Sequence, residues 1–78
     1  MLDDLTDEEW LDHEGQRIGR RIREVREFLN LTQERVFLAA PMNRAHCQNI
    51  EAGRTNPTLR TLLRIARAIG VSLEELAR

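Results

Sequence analysis

Six consecutive residues carry the chemistry most worth explaining: Arg44, Ala45, His46, Cys47, Gln48 and Asn49. Arg presents a fork of donors that fits the edge of a guanine. Asn and Gln each offer a donor beside an acceptor, the pattern an adenine edge requires, and a small Ala can meet a thymine methyl. On a helix, Cys47 and Ile50 fall on one side together with the preceding Met42. Arg44, Ala45, Gln48 and Asn49 fall on the other, with His46 at its edge. A short helix polar on its outer face and apolar on its inner face can enter a major groove while remaining anchored to a core.

The flanking residues supply the frame. Asn43 caps this helix, expected over 44–52, and Gly53 ends it. A preceding helix, expected over 33–40, begins at the cap Thr32 and stops at Pro41, because the residue before proline avoids the helical region. The first amides of that helix, near Thr32 and Gln33, suit a phosphate at a helix N-terminus. Arg54, Thr55 and Asn56 follow the outward-facing helix and can hold neighbouring phosphates.

Upstream, Leu11, Gly15, Ile18, Ile22, Val25 and Leu29 recur at 4-3-4-3-4 spacing, one face of a helix. Glycine in a helix interior costs about 1 kcal/mol relative to Ala. The expectation is therefore a break or kink near Gly15 within residues 7–29, with Asn30 left-handed at the end. Thr6 and Glu9 form a capping box, and Leu5 with Trp10 occupies the positions of a hydrophobic staple. Trp10 is expected in core or interface packing. Downstream, Thr58 caps a helix over 59–69 whose broad apolar face includes Leu59, Leu62, Leu63, Ile65, Ala66 and Ile69. Gly70 stops it, and Ser72 to Glu75 reads as a second capping box opening a fifth helix. No strand pattern appears. The fold expected is all-α, with five helices.

Seventy-eight residues allow one small core, which a second subunit would help to stabilise. The net charge of −1 conceals a division. Residues 1–14 hold seven acids and no base, whereas residues 15–78 hold all twelve arginines against six acids. The chain divides into an acidic leader, 1–14, and a basic body, 15–78, suited to a polyanion. Three of the leader's acids, Asp7, Glu8 and Glu9, complement a helix dipole. A sharper reading has the leader compete with DNA for the basic body. Of the helix-one arginines, Arg20, Arg21 and Arg23 include one candidate phosphate contact.

One cysteine excludes an internal disulfide and fits a reducing, cytoplasmic setting. Cys47 reads as a small core residue. His13, His46 and Cys47 lack metal-ligand spacing, and no catalytic arrangement or phosphate-cradling glycine loop is present, so no cofactor, metal or enzymatic activity is expected. No apolar run is long enough to span a bilayer, and no secretory leader pattern precedes the body.

The segments IGRRIREVR, LTQE, NIEAG, NPTLRTLLRIARAIGV and SLEEL, from about Ile18 to Leu76, resemble the phage repressor/Cro-like, or XRE-type, helix-turn-helix family. The segment NRAHCQNIEAGRTNPTL is also similar to the controller proteins of restriction-modification systems. The resemblance implies a five-helix domain that binds double-stranded DNA, usually as a homodimer on a palindromic operator. It further implies a transcriptional regulator, a repressor or autoregulator, and a buried ion pair between Arg26 and Glu51. Helices four and five would then supply the dimer interface through Ile69, Val71, Leu73 and Leu76. Three residues depart from the family pattern: Phe37 stands where Ala is usual, Pro41 where the turn usually has Gly, and Cys47 in a slot usually branched and aliphatic. An alternative from another class is a protein-interaction module, an antitoxin or adaptor retaining the fold, with a partner protein at the acidic leader or at Leu38.

Overall fold

Five side chains that accept hydrogen bonds open five helices. The computed structural model describes residues 4–78 and comprises α1 (Asp7–Phe28), α2 (Gln33–Ala39), α3 (Arg44–Glu51), α4 (Leu59–Ile69) and α5 (Leu73–Ala77), with no strand among those residues. The first part of the acidic leader, Asp3 included, lies outside the described residues. Thr6, Thr32, Asn43, Thr58 and Ser72 each accept from the amide three residues on, satisfying a donor that the helix leaves unpaired. Asn30 (φ 58°), Gly53 (φ 73°) and Gly70 (φ 90°) take the left-handed conformation beyond helix ends.

Both bonds of the Thr6–Glu9 capping box form, at 3.1 Å each. The box expected at Ser72 is only half formed. Ser72 Oγ accepts from the Glu75 amide at 3.3 Å, but the Glu75 carboxylate turns to Arg21 Nη2 at 3.1 Å. Arg21 Nε also donates to the Glu75 carbonyl at 2.7 Å, and Arg17 Nη1 to the Ala77 carbonyl at 2.7 Å. Two helix-one arginines thereby satisfy carbonyls at the end of α5, which explains why Glu75 is drawn away from its own cap.

The expected break near Gly15 does not occur: α1 is continuous from Asp7 to Phe28. Gly15 and Gly19 serve close approach instead. A Cβ on Gly15 would lie 2.6 Å from Asn56 Oδ1, and one on Gly19 2.9 Å from the Glu51 carbonyl and nearer still to that of Ile50. Bare backbone at these two positions lets α1 lie against the end of α3 and the loop that follows.

The core gathers Ile22 from α1, Val36 from α2, Ile50 from α3, Ile65 and Ile69 from α4 and Leu76 from α5. Two of the four residues assigned to a dimer surface are therefore unavailable, because Ile69 and Leu76 are buried within the protomer, while Val71 and Leu73 remain half-buried. The apolar face of α4 is narrower than the sequence suggests. Leu59 and Leu63 are 62% and 49% exposed, whereas Ile65 and Ile69 are buried. Trp10 is likewise not in the core; it and Leu11 are each 40% exposed, because α1 runs past the residues that cover Gly15 and Ile18. Among the described residues, no helix is long and apolar enough to cross a membrane.

Candidate nucleic-acid interface

The ion pair beneath α3 determines how that helix is presented. Arg26 Nε donates to Glu51 Oε2 at 2.7 Å and Nη2 to Oε1 at 3.0 Å, a two-point contact with both side chains buried. Arg26 Nη1 reaches the Leu31 carbonyl at 2.7 Å, and Gln33 Nε2 donates to Glu51 Oε1 at 3.0 Å. The Glu51 hydrogen bond raises the Arg26 pKa against the opposing effect of burial. The last turn of α1, the start of α2 and the last residue of α3 are thus fixed to one another. Among the described residues no buried side-chain polar atom lacks a partner. Removing one member of such a pair typically costs about 3–5 kcal/mol, because the other charge is left buried.

From that base α3 turns Cys47 and Ile50 inward. Arg44, Ala45 and Gln48 are exposed, and His46 and Asn49 half-buried, so all five base-contact candidates remain reachable from solvent. Burial raises the Cys47 thiol's pKa, keeping it a neutral core group rather than a thiolate.

The turn between α2 and α3 accommodates Pro41 without a left-handed residue; among described non-glycine residues only Asn30 has positive φ. Ala40 N donates to the Val36 carbonyl at 2.8 Å and Met42 N to that of Phe37 at 2.9 Å, so two successive backbone bonds carry the chain past the proline. Phe37 is buried, 9% exposed, yet does not join the main core cluster. Its ring lies beneath Arg44, whose guanidinium carbon is 5.2 Å from the ring centroid. Arg44 Nη2 also approaches Glu34 Oε2 at 3.4 Å in an exposed pair.

The phosphate-contact candidates divide. Gln33 keeps its backbone amide at the start of α2, but its side chain is engaged by Glu51. Thr32 Oγ1 accepts from the Arg35 amide at 3.1 Å. Asn56 is exposed and faces Gly15, and Thr55 is half-buried beside it. Arg54 Nε donates to Asn49 Oδ1 at 3.1 Å, joining two residues that sequence reasoning treated separately.

Sequence reasoning also left the helix-one arginines undivided. Arg21 belongs to the contact with α5, whereas Arg23 lines a recess of about 280 Å³ together with Gln33, Gln48, Glu51, Ala52 and Arg54. The signal was present: Arg23 precedes Arg26 by three residues and shares its side of the helix. Among the described residues no group of His, Cys, Asp or Glu is placed to hold a metal ion.

A short polar-faced helix, locked by a buried ion pair and preceded by a two-helix turn, defines a helix-turn-helix domain. The family model described as "Helix-turn-helix" matches residues 22–76, and the chain belongs to that family. It is 37% identical over 59 residues to an uncharacterized HTH-type transcriptional regulator, y4dJ, of Sinorhizobium fredii, covering 76% of this chain and 77% of that protein. It is 36% identical over 56 residues to the immunity repressor protein of Bacillus phage phi105, covering 72% of this chain and 39% of the repressor. The crystal structure of the restriction-modification controller protein C.AhdI from Aeromonas hydrophila superposes with a TM-score of 0.79 at 28% identity, covering 82% of this chain and 97% of that one.

Proposed function

We propose that this protein is a sequence-specific DNA-binding regulator of transcription that inserts α3 into the major groove. The observation that carries this reading is the outward row Arg44, Ala45, Gln48 and Asn49 on a helix whose far end is fixed by Arg26 and Glu51. The loop residues Arg54, Thr55 and Asn56, with the first amides of α2, would hold the flanking backbone. The names of the relatives support a repressor, and occupancy of an operator by so small a domain is sufficient for repression or autoregulation. The reading places the protein in the cytoplasm, where DNA is accessible to it, and assigns it no catalytic chemistry.

The active form would be a homodimer on a palindromic site, its two α3 helices entering successive major grooves about 34 Å apart. Of the four dimer-interface candidates, only Val71, in the turn between α4 and α5, and Leu73 are partly exposed. Val71 lines an apolar groove with Val25, Phe28 and Leu29, which offers a larger contact area than the two residues alone.

Selection of bound sites from a random duplex pool tests the reading. An enriched palindrome, bound with an affinity that falls steeply with salt, is the expected result. A pool without enrichment would leave the fold with a protein-binding role instead.

A further inference from the structure

Two exposed helix faces of this chain are complementary, and among the described residues neither is covered within the protomer. The first two turns of α1, from Asp7 to His13, are exposed throughout. Leu11 continues the stripe of Gly15, Ile18 and Ile22 beyond the residues that cover it, with Trp10 beside it. Asp7 and Glu8, four and three positions before Leu11, border it, and Asp12 lies at the edge. The second face is on α4. Leu59 and Leu63 stand one turn apart, and Arg60, Arg64 and Arg67 follow on one side of them. These five residues line a groove of about 580 Å³. The sequence of α4 contains no acid.

We propose that the α1 extension of one copy docks on the α4 face of a second copy. Trp10 and Leu11 would cover Leu59 and Leu63, and Glu8 and Asp12 would meet Arg60 and Arg64. The occupant is another copy because the charges are opposite and each face presents two large apolar side chains at its centre. It is not the same chain's extension: α1 is one unbroken helix that packs along α3 and α5, so its start cannot fold back onto α4. DNA is the poorer occupant, since phosphates would meet the arginines but leave both leucines uncovered. The contact also accounts for residues outside the family's common fold. The family match begins at residue 22, and 82% of this chain suffices to cover 97% of the solved controller protein.

Trp10 is the chain's only tryptophan, so its fluorescence reports the contact directly. On the full chain, emission should shift to shorter wavelength as concentration rises, in step with association measured by sedimentation. The double variants Glu8→Arg/Asp12→Arg and Arg60→Glu/Arg64→Glu should each lose the shift while retaining the helical circular dichroism signal. Mixing the two variants should restore it, because the reversed extension of one then meets the reversed α4 face of the other, and the unchanged extension meets the unchanged face. Recovery on mixing is a result that misfolding of either variant cannot produce. Emission indifferent to concentration overturns the proposal, as does a Trp10 shift that persists unchanged in both variants, whatever association the Val71 groove supports. So does a mixture without recovery. Weakened DNA binding by the α4 variant with association intact would assign the arginine face to DNA and overturn it equally.

Discussion

The guanidinium of Arg44 lies over the Phe37 ring, 5.2 Å from its centroid. The contact joins the first residue of α3 to the middle of α2 and turns a departure from the family pattern into a platform. Glu34 approaches the same guanidinium at 3.4 Å, but both side chains are exposed, so that pair contributes at most about 1 kcal/mol. In the DNA reading Arg44 keeps the ring and exchanges the carboxylate for a base edge.

Arg44→Ala is therefore expected to lose roughly 1–3 kcal/mol of site affinity and to relax preference at one base pair. Glu34→Gln should strengthen binding slightly, by freeing the guanidinium. Phe37→Leu keeps apolar bulk but removes the aromatic face, and about 0.5–1 kcal/mol of cation–π attraction with it. Titrating each variant against the selected site and a single-base substitute measures both effects. An equal loss for Arg44→Ala on every sequence would make it a phosphate contact only.

The two buried glycines of α1 should respond to alanine in opposite directions. At Gly15 the added methyl meets the tip of Asn56, an exposed and mobile type of side chain, while helix propensity improves by about 1 kcal/mol. Gly15→Ala should be neutral or mildly stabilising. At Gly19 the methyl meets the carbonyls of Ile50 and Glu51, which cannot rotate away, and overpacking of this kind costs typically about 1–3 kcal/mol. Gly19→Ala should lower the melting temperature and disturb the Arg26–Glu51 pair. Thermal denaturation of both variants decides the matter, and a stabilised Gly19→Ala would show that α1 and α3 are not held so closely.

The same two positions show what sequence could convey. Caps and stops were legible because they are local: Thr32, Asn43, Gly53 and Gly70 act on amides and dihedral angles within a few residues. Gly15 was misread as a break because its reason, the proximity of Asn56, lies 41 positions along the chain. The sequence puts Leu59 and Leu63 on one broad apolar face with Ile65, because the hydrophobic pattern does not tell a covered face from an uncovered one. For the same reason it does not show that Ile69 and Leu76, expected at a dimer surface, are covered within the protomer. At the candidate interface the outward row of α3 followed from its period. The engagement of Gln33 by Glu51 and of Asn49 by Arg54 did not, since side-chain pairing across a turn leaves no period to read.

The start of α1 should respond to acid. The backbone hydrogen bond from Thr6, and then that of its side chain, hold the Glu9 carboxyl below the usual carboxylate range. A depressed folded pKa means that the contribution of the cap is present above the unfolded value and is lost as pH falls through the folded one. Lowering the pH below about 4, the ordinary glutamate range, should therefore fray the first turn around Trp10 while the core of α1 persists. Amide resonances of Thr6 and Glu9 followed through the titration, with Thr6→Ala as control, provide the measurement. A first turn that keeps its amide protection at acid pH would place the stabilisation elsewhere.

Arg54 offers the finest distinction at the interface. Its Nε bond to Asn49 Oδ1, at 3.1 Å, takes one of the two lone pairs of the amide oxygen, leaves the other for a bidentate adenine contact and orients the amide. If Arg54 only meets a phosphate, Arg54→Ala weakens binding uniformly and reduces the slope of log affinity against log salt by about 0.9. If it also positions Asn49, the same variant additionally broadens preference at the base Asn49 reads, and Asn49→Ala in the Arg54→Ala background adds less than it does alone. The bond spans five residues, from the last turn of α3 to the loop beyond it, and ties the candidate reading residue to the loop proposed to carry the phosphates. We expect the coupled outcome. Strict additivity of the two substitutions across the selected site, with an unchanged base preference, would reduce Arg54 to a phosphate contact.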